Sequence, residues 1–159
     1  MSEPAILAAG LVYAVVVTIG LVRLGRDEGG PHWAGAWACL WAAGGAAMLR
    51  DGAPGAIPLA AAFGTGAATL LVTGSLRFTG RTVPNGLWAA AIAVGVLRAG
   101  LVPFVGWTVT EVAGALLLAG SALASSAVLL GPRRADGTRR NRLLAATFPI
   151  AVVSAGVYA

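Results

Sequence analysis

Six apolar stretches alternate with short polar gaps along this 159-residue chain, and the positive charge is concentrated in alternate gaps. All 11 basic residues are arginine. Nine occupy three gaps: Arg23 and Arg26; Arg77 and Arg81; and Arg133, Arg134, Arg139, Arg140 and Arg142. The other two, Arg50 and Arg98, lie near the gaps in between. Cationic loops are held on the cytoplasmic side of a bilayer, so this alternation is a topology map. It points to an all-α chain that crosses a membrane repeatedly.

Composition agrees. The chain is 58% hydrophobic and only 11% charged, against about 25% charged residues in a typical soluble domain. Too little polar surface remains to cover a water-soluble fold. The 23 glycines suit membrane helices, which use small residues to approach closely. A net charge of +5 hints at nucleic acid. Those positives are split among membrane-flanking loops and form no basic face, so nucleic acid is set aside as a partner. The single cysteine, Cys39, lies inside an apolar stretch and supports neither an internal disulfide nor a cysteine-based metal site.

The expected spans run over residues 4–22, 33–49, 56–76, 84–97, 104–130 and 143–159, forming a single transmembrane domain over 1–159. A crossing helix needs roughly 17–25 residues, which makes the fourth short. Turn chemistry divides the segments: Gly29–Gly30–Pro31, Asp51–Gly52–Ala53–Pro54, Thr79–Gly80–Arg81 and Gly131–Pro132. Pro4, Pro58 and Pro84 fall in first turns, where a missing N–H costs little, and Pro149 should kink the sixth segment. The leader Met1–Ser2–Glu3–Pro4 has no basic region, and the positives follow the first apolar run. That order argues against a removable signal peptide and for an outside N-terminus. Six crossings then place Ala159 outside. The chain stops without a polar tail, as either a natural end or a cut from a longer chain with a seventh helix.

Few residues in the spans carry chemistry. Arg98 and Glu111 are ionisable groups in or near apolar segments, where charges are costly and usually paired. A hairpin of the fourth and fifth segments could join them, either as a structural ion pair or as a proton or ligand site at the outer mouth of the bundle. Trp107 reads as an outer interfacial anchor one turn above Glu111. Trp33, Trp37 and Trp41 are spaced as one helical stripe. Trp33 belongs at the inner interface. Trp37 and Trp41 lie deeper, as packing or as a flat wall for an apolar small-molecule ligand. Gly35, Gly44 and Gly45 would admit a close neighbour on that helix, and Gly64, Gly66 and Ala68 mark the third segment as a packing helix. Ser121, Ser125 and Ser126 are expected to bond helix backbone.

Several activities are disfavoured. The absence of lysine excludes a retinal Schiff base or a lysine nucleophile. His32 is the only histidine, so no histidine pair can hold a haem within one chain. There is no zinc-protease motif and no paired-carboxylate site. No catalytic residue, metal site or cofactor is expected, and the sequence points away from an enzyme acting alone.

Between Trp37 and Arg81 the chain reads Trp41, Gly44, Leu49–Arg50, a turn with Pro54, a helix around Gly64, then Gly74–Ser75–Leu76–Arg77–Phe78–Thr79–Gly80–Arg81. This stretch, about a quarter of the chain, resembles the N-terminal multi-helix membrane sensor regions of bacterial diguanylate cyclases and sensor histidine kinases. In those regions a helix often ends in an arginine before a proline turn, and the next closes with glycine, a basic residue, phenylalanine and a Gly-Arg pair. The resemblance implies an input module feeding a cytoplasmic effector, with no catalytic residue of its own. The ligand positions expected on this basis are Trp37, Trp41, Arg98 and Glu111. Two other readings fit the residues: a non-catalytic structural subunit of a larger membrane complex, and a small proton-coupled transporter using Glu111. A homodimer is compatible with each.

Overall fold

A computed structural model describes residues 29–49, 51–53 and 55–131, together with positions 15 and 19. Apart from positions 15 and 19, the first and sixth expected spans, 4–22 and 143–159, lie outside the described residues, as do Arg23, Arg26, Arg50 and the arginines beyond position 131. The described residues are all-α. They form four helices: α1 (Gly30–Met48), α2 (Ala56–Phe78), α3 (Asn85–Val105) and α4 (Trp107–Leu130). Three of them, α2, α3 and α4, are long and apolar enough to cross a membrane. At 1.5 Å per residue their 23, 21 and 24 residues span about 32–36 Å, enough for a hydrocarbon core of about 30 Å. The 19 residues of α1, with Pro31, His32 and four glycines, fall short of that standard.

The helix ends follow from backbone chemistry. Gly29, at φ +93°, opens α1, and Pro31 follows inside the first turn. Pro84 holds the extended residue before α3. The sharpest corner is Gly106, at φ +80°, which both ends α3 and begins α4. A side chain there would be strained, so the single glycine sets the hairpin.

That corner corrects the expected fourth span. The sequence suggests an end at Leu97, ahead of Arg98, whereas α3 continues eight residues further to Val105. An arginine interrupts a membrane helix only if its charge finds no partners, and Arg98 finds them on neighbouring helices, as described below.

At the centre stands α2, which packs against α1, α3 and α4; α1 touches no other described helix. The residues α2 buries are small: Ala60, Ala61, Gly64, Thr65, Ala67, Ala68, Thr69, Thr73, Gly74 and Ser75 accompany a single large one, Leu71. Small side chains let backbones approach closely, the main source of packing between helices where lipid removes the hydrophobic drive. At the Arg77 end of α2 the contact is tightest. A Cβ on Gly29 would collide with the Gly74 carbonyl, and one on Gly74 with the Trp33 indole. Trp33 is buried there and packs against Phe78 with ring centroids 5.2 Å apart. It is thus a core residue joining α1 to α2. Leu71 and Leu129 complete that cluster.

Most of the hydroxyls of α2 are satisfied within their own helix. Thr65, Thr69 and Ser75 each donate to the carbonyl four residues earlier, at 2.9 Å. Of the serines expected to bond backbone on α4, Ser121 donates to the Leu118 carbonyl at 2.8 Å. Ser125 does not: its hydroxyl is buried and, like that of Thr73 on α2, has no hydrogen-bond partner among the described residues. Gly35 faces Leu70 and Gly66 faces Cys39, while Gly44 and Gly45 meet nothing within 4 Å among the described residues.

Candidate functional site

The one arginine in the middle of a described helix organises a three-helix junction. Arg98 lies two turns before the end of α3, and its guanidinium reaches between α2 and α4. Nη1 donates to the Ala61 carbonyl at 3.3 Å and to the Thr65 hydroxyl at 2.9 Å. Nη2 donates to the Thr110 carbonyl at 3.0 Å. Each acceptor is held in place by its own helix. The Thr65 hydroxyl donates to the Ala61 carbonyl, which leaves its oxygen lone pairs turned to Arg98. The Thr110 hydroxyl donates to the Gly106 carbonyl at 3.1 Å and so ties the first turn of α4 to the corner.

Small residues make room for the charged group. A Cβ on Gly114 would collide with Nη2, and one on Gly64 would sit 3.8 Å from Nη1. Gly95, one turn before Arg98, lets α3 lie against the Thr65 side chain, which would be 3.7 Å from a Cβ there. Arg98 joins the start of α2 to the start of α4, and beyond their far ends a Cβ on Gly131 would meet the Arg81 guanidinium, so those two helices run parallel, with α3 antiparallel to both. The junction therefore sits at the end of the bundle opposite Arg77 and Arg81.

The expected partner of Arg98 was Glu111. The structure places Glu111 on the adjacent turn, half-buried, but all three guanidinium bonds go to neutral oxygens of Ala61, Thr65 and Thr110. No ion pair joins Arg98 to Glu111 among the described residues. The physical reason is geometric: on α4 the Thr110 carbonyl and the Gly114 Cα face the guanidinium, and Glu111 is rotated about 100° from Thr110 around the helix.

Arg98 Nε is buried and lacks an acceptor among the described residues, as does Trp107 Nε1 at the start of α4. Trp107 begins α4, one turn before Thr110.

The other two expected ligand positions lie elsewhere. Trp37 and Trp41 sit on α1, which packs only on α2 among the described helices. Their rings meet edge to face with centroids 6.4 Å apart; Trp37 is half-buried and Trp41 exposed. The four residues singled out in the sequence thus divide into an aromatic pair on α1 and a charged pair near the α2–α3–α4 junction. The residues that hold Arg98, namely Thr65, Thr110 and Gly114, are not conspicuous in the sequence. Their signal is a small or hydroxyl residue on each helix that can face a lone intramembrane arginine. No group of three or more possible metal-ligating side chains occurs among the described residues.

No protein-family model matches the chain, and neither a curated protein nor a solved structure does.

Proposed function

We propose that this chain is a sensory module of a bacterial inner membrane. A ligand or a membrane property shifts one helix arrangement to another, and the change passes to a cytoplasmic effector. One observation carries this reading. Among the described residues, helix α3 buries none of its own, and the polar side-chain bonds that fasten it come from the Arg98 guanidinium alone. A helix with little buried area and one polar clamp moves at lower cost than the other described helices. The resemblance of 37–81 to sensor regions supports the same reading. The arginine map supports six crossings with the N-terminus outside, so that Arg77 and Arg81 face the cytoplasm and the Arg98 junction lies toward the outer surface.

Two measurements test it, both in a Cys39→Ala background. An impermeant maleimide on spheroplasts should label Gly52→Cys and spare Thr82→Cys; the reverse pattern would refute the orientation. Spin labels at Leu59→Cys on α2 and Leu101→Cys on α3, both exposed positions, report the clamp in nanodiscs. Two distance populations are expected, with Arg98→Ala enriching the longer one. A single distance unchanged by Arg98→Ala would sink the movable-helix reading.

A further inference from the structure

We propose that the Arg98 junction is a binding site for a phosphate-type oxyanion. The inference rests on the reading of α3 as the movable helix and names what that movement recognises.

The guanidinium is a cation whose three bonds all end on neutral oxygens. One of those, the Ala61 carbonyl, is also the acceptor of the Thr65 hydroxyl, so Arg98 takes only a share of it. A charge in a membrane interior with neutral partners alone is incompletely compensated. One donor is spare. Arg98 Nε–H is buried and has no acceptor among the described residues, while Nη2 donates to Thr110. Nε–H lies on the edge of the planar group that also carries one Nη2–H, the fork that a phosphate or carboxylate grips with two oxygens. A second buried donor, Trp107 Nε1–H, starts the same helix that supplies Thr110. A buried cationic N–H without an acceptor among the described residues calls for an oxygen-rich, negatively charged visitor. Glu111, the next residue after Thr110, is the one described carboxylate in these helices, rotated about 100° from Thr110 around α4.

The guanidinium bonds the first turn of α4, about 5 Å from the start of that helix at 1.5 Å per residue. The Nε edge is buried when α3 is clamped, so a phosphate reaches it only as α3 moves outward. Exchanging neutral acceptors for an oxyanion then favours the displaced arrangement, which couples binding to movement. The phosphate could belong to a lipid headgroup or to a soluble molecule; the chemistry recognised is the same.

The test uses the full chain in phosphate-free maltoside micelles, carrying the Leu59/Leu101 spin labels. It is titrated separately with phosphatidylglycerol and with inorganic phosphate, against sodium chloride at matched ionic strength. Enrichment of the longer distance by one titrant and not by chloride is expected, and which titrant acts identifies the source. Arg98→Lys, which keeps the charge but loses the fork, and Trp107→Phe should each weaken the response by roughly tenfold, as expected for a lost charge-assisted pair. No response to either titrant, or an equal response in Arg98→Lys, overturns the oxyanion site. If Arg98→Ala still shifts the distance while no oxyanion does, the movable helix stands and the site alone falls.

Discussion

Gly114→Ala is the most direct probe of the Arg98 clamp, because a methyl there occupies the place of Nη2. The colliding atom is the tip of a flexible side chain, so the backbone need not move; the guanidinium withdraws. What is lost is its three hydrogen bonds. At about 0.6 kcal/mol each, the average measured between membrane helices, they sum to about 2 kcal/mol. Replacing glycine inside a helix returns up to about 1 kcal/mol. Gly114→Ala should therefore destabilise by about 1 kcal/mol net. With Arg98→Ala already present, the same methyl meets nothing charged and should stabilise by up to about 1 kcal/mol, which gives a coupling of about 2 kcal/mol. Reversible unfolding in mixed detergent micelles, followed by far-ultraviolet circular dichroism, measures all four corners of that cycle. Gly120→Ala on the same helix is the reference, since a Cβ there meets nothing within 4 Å among the described residues. Effects that add within about 0.5 kcal/mol would show that Arg98 and Gly114 are not coupled and would refute the clamp.

Other substitutions separate packing from polar effects. Gly74→Ala drives a methyl into the Trp33 indole, held between α1 and α2, and should destabilise by about 1–3 kcal/mol in the same unfolding assay; Trp33→Leu should recover part of that loss. Thr73→Val removes a buried hydroxyl that has no partner among the described residues and should leave stability unchanged or raise it by about 1 kcal/mol. Thr65→Val strips Arg98 of an acceptor and should lower stability by about 1 kcal/mol. Equal effects of the two threonine changes would contradict the assigned hydrogen bonds.

Both ends of α2 and the C-terminal end of α4 were legible because proline, glycine and arginine bound those apolar runs, whereas the span expected from Phe104 begins at Trp107, with Phe104 and Val105 in α3. The end of α3 was not. A charge inside an apolar run reads as a boundary, and Arg98 is such a charge, whereas the true corner is Gly106, a residue that carries no polarity at all. The same blindness affects the site. Arg98 stood out by composition, and the search for its partner turned to the nearest carboxylate, Glu111. Two of its three acceptors are backbone carbonyls, which every residue possesses and no residue type announces. The tryptophan stripe shows the converse. Its spacing placed Trp33, Trp37 and Trp41 on one face, but burial depends on where α2 carries small residues. Gly74 makes a slot for Trp33, while nothing equivalent covers Trp41.

The way α2 satisfies its own hydroxyls has a consequence for biogenesis. Thr65, Thr69 and Ser75 turn back on carbonyls of the same helix, so α2 can leave the translocon and sit in lipid before any neighbour is made. Helix α3 is in the opposite position. An arginine near a helix centre adds about 2.5–3.5 kcal/mol to insertion, and one of the bonds that relieve it ends on Thr110, in a helix translated later. Until Thr110 emerges from the ribosome, α3 lacks a full set of partners. Its guanidinium therefore gains its full set of described acceptors only once α4 is present.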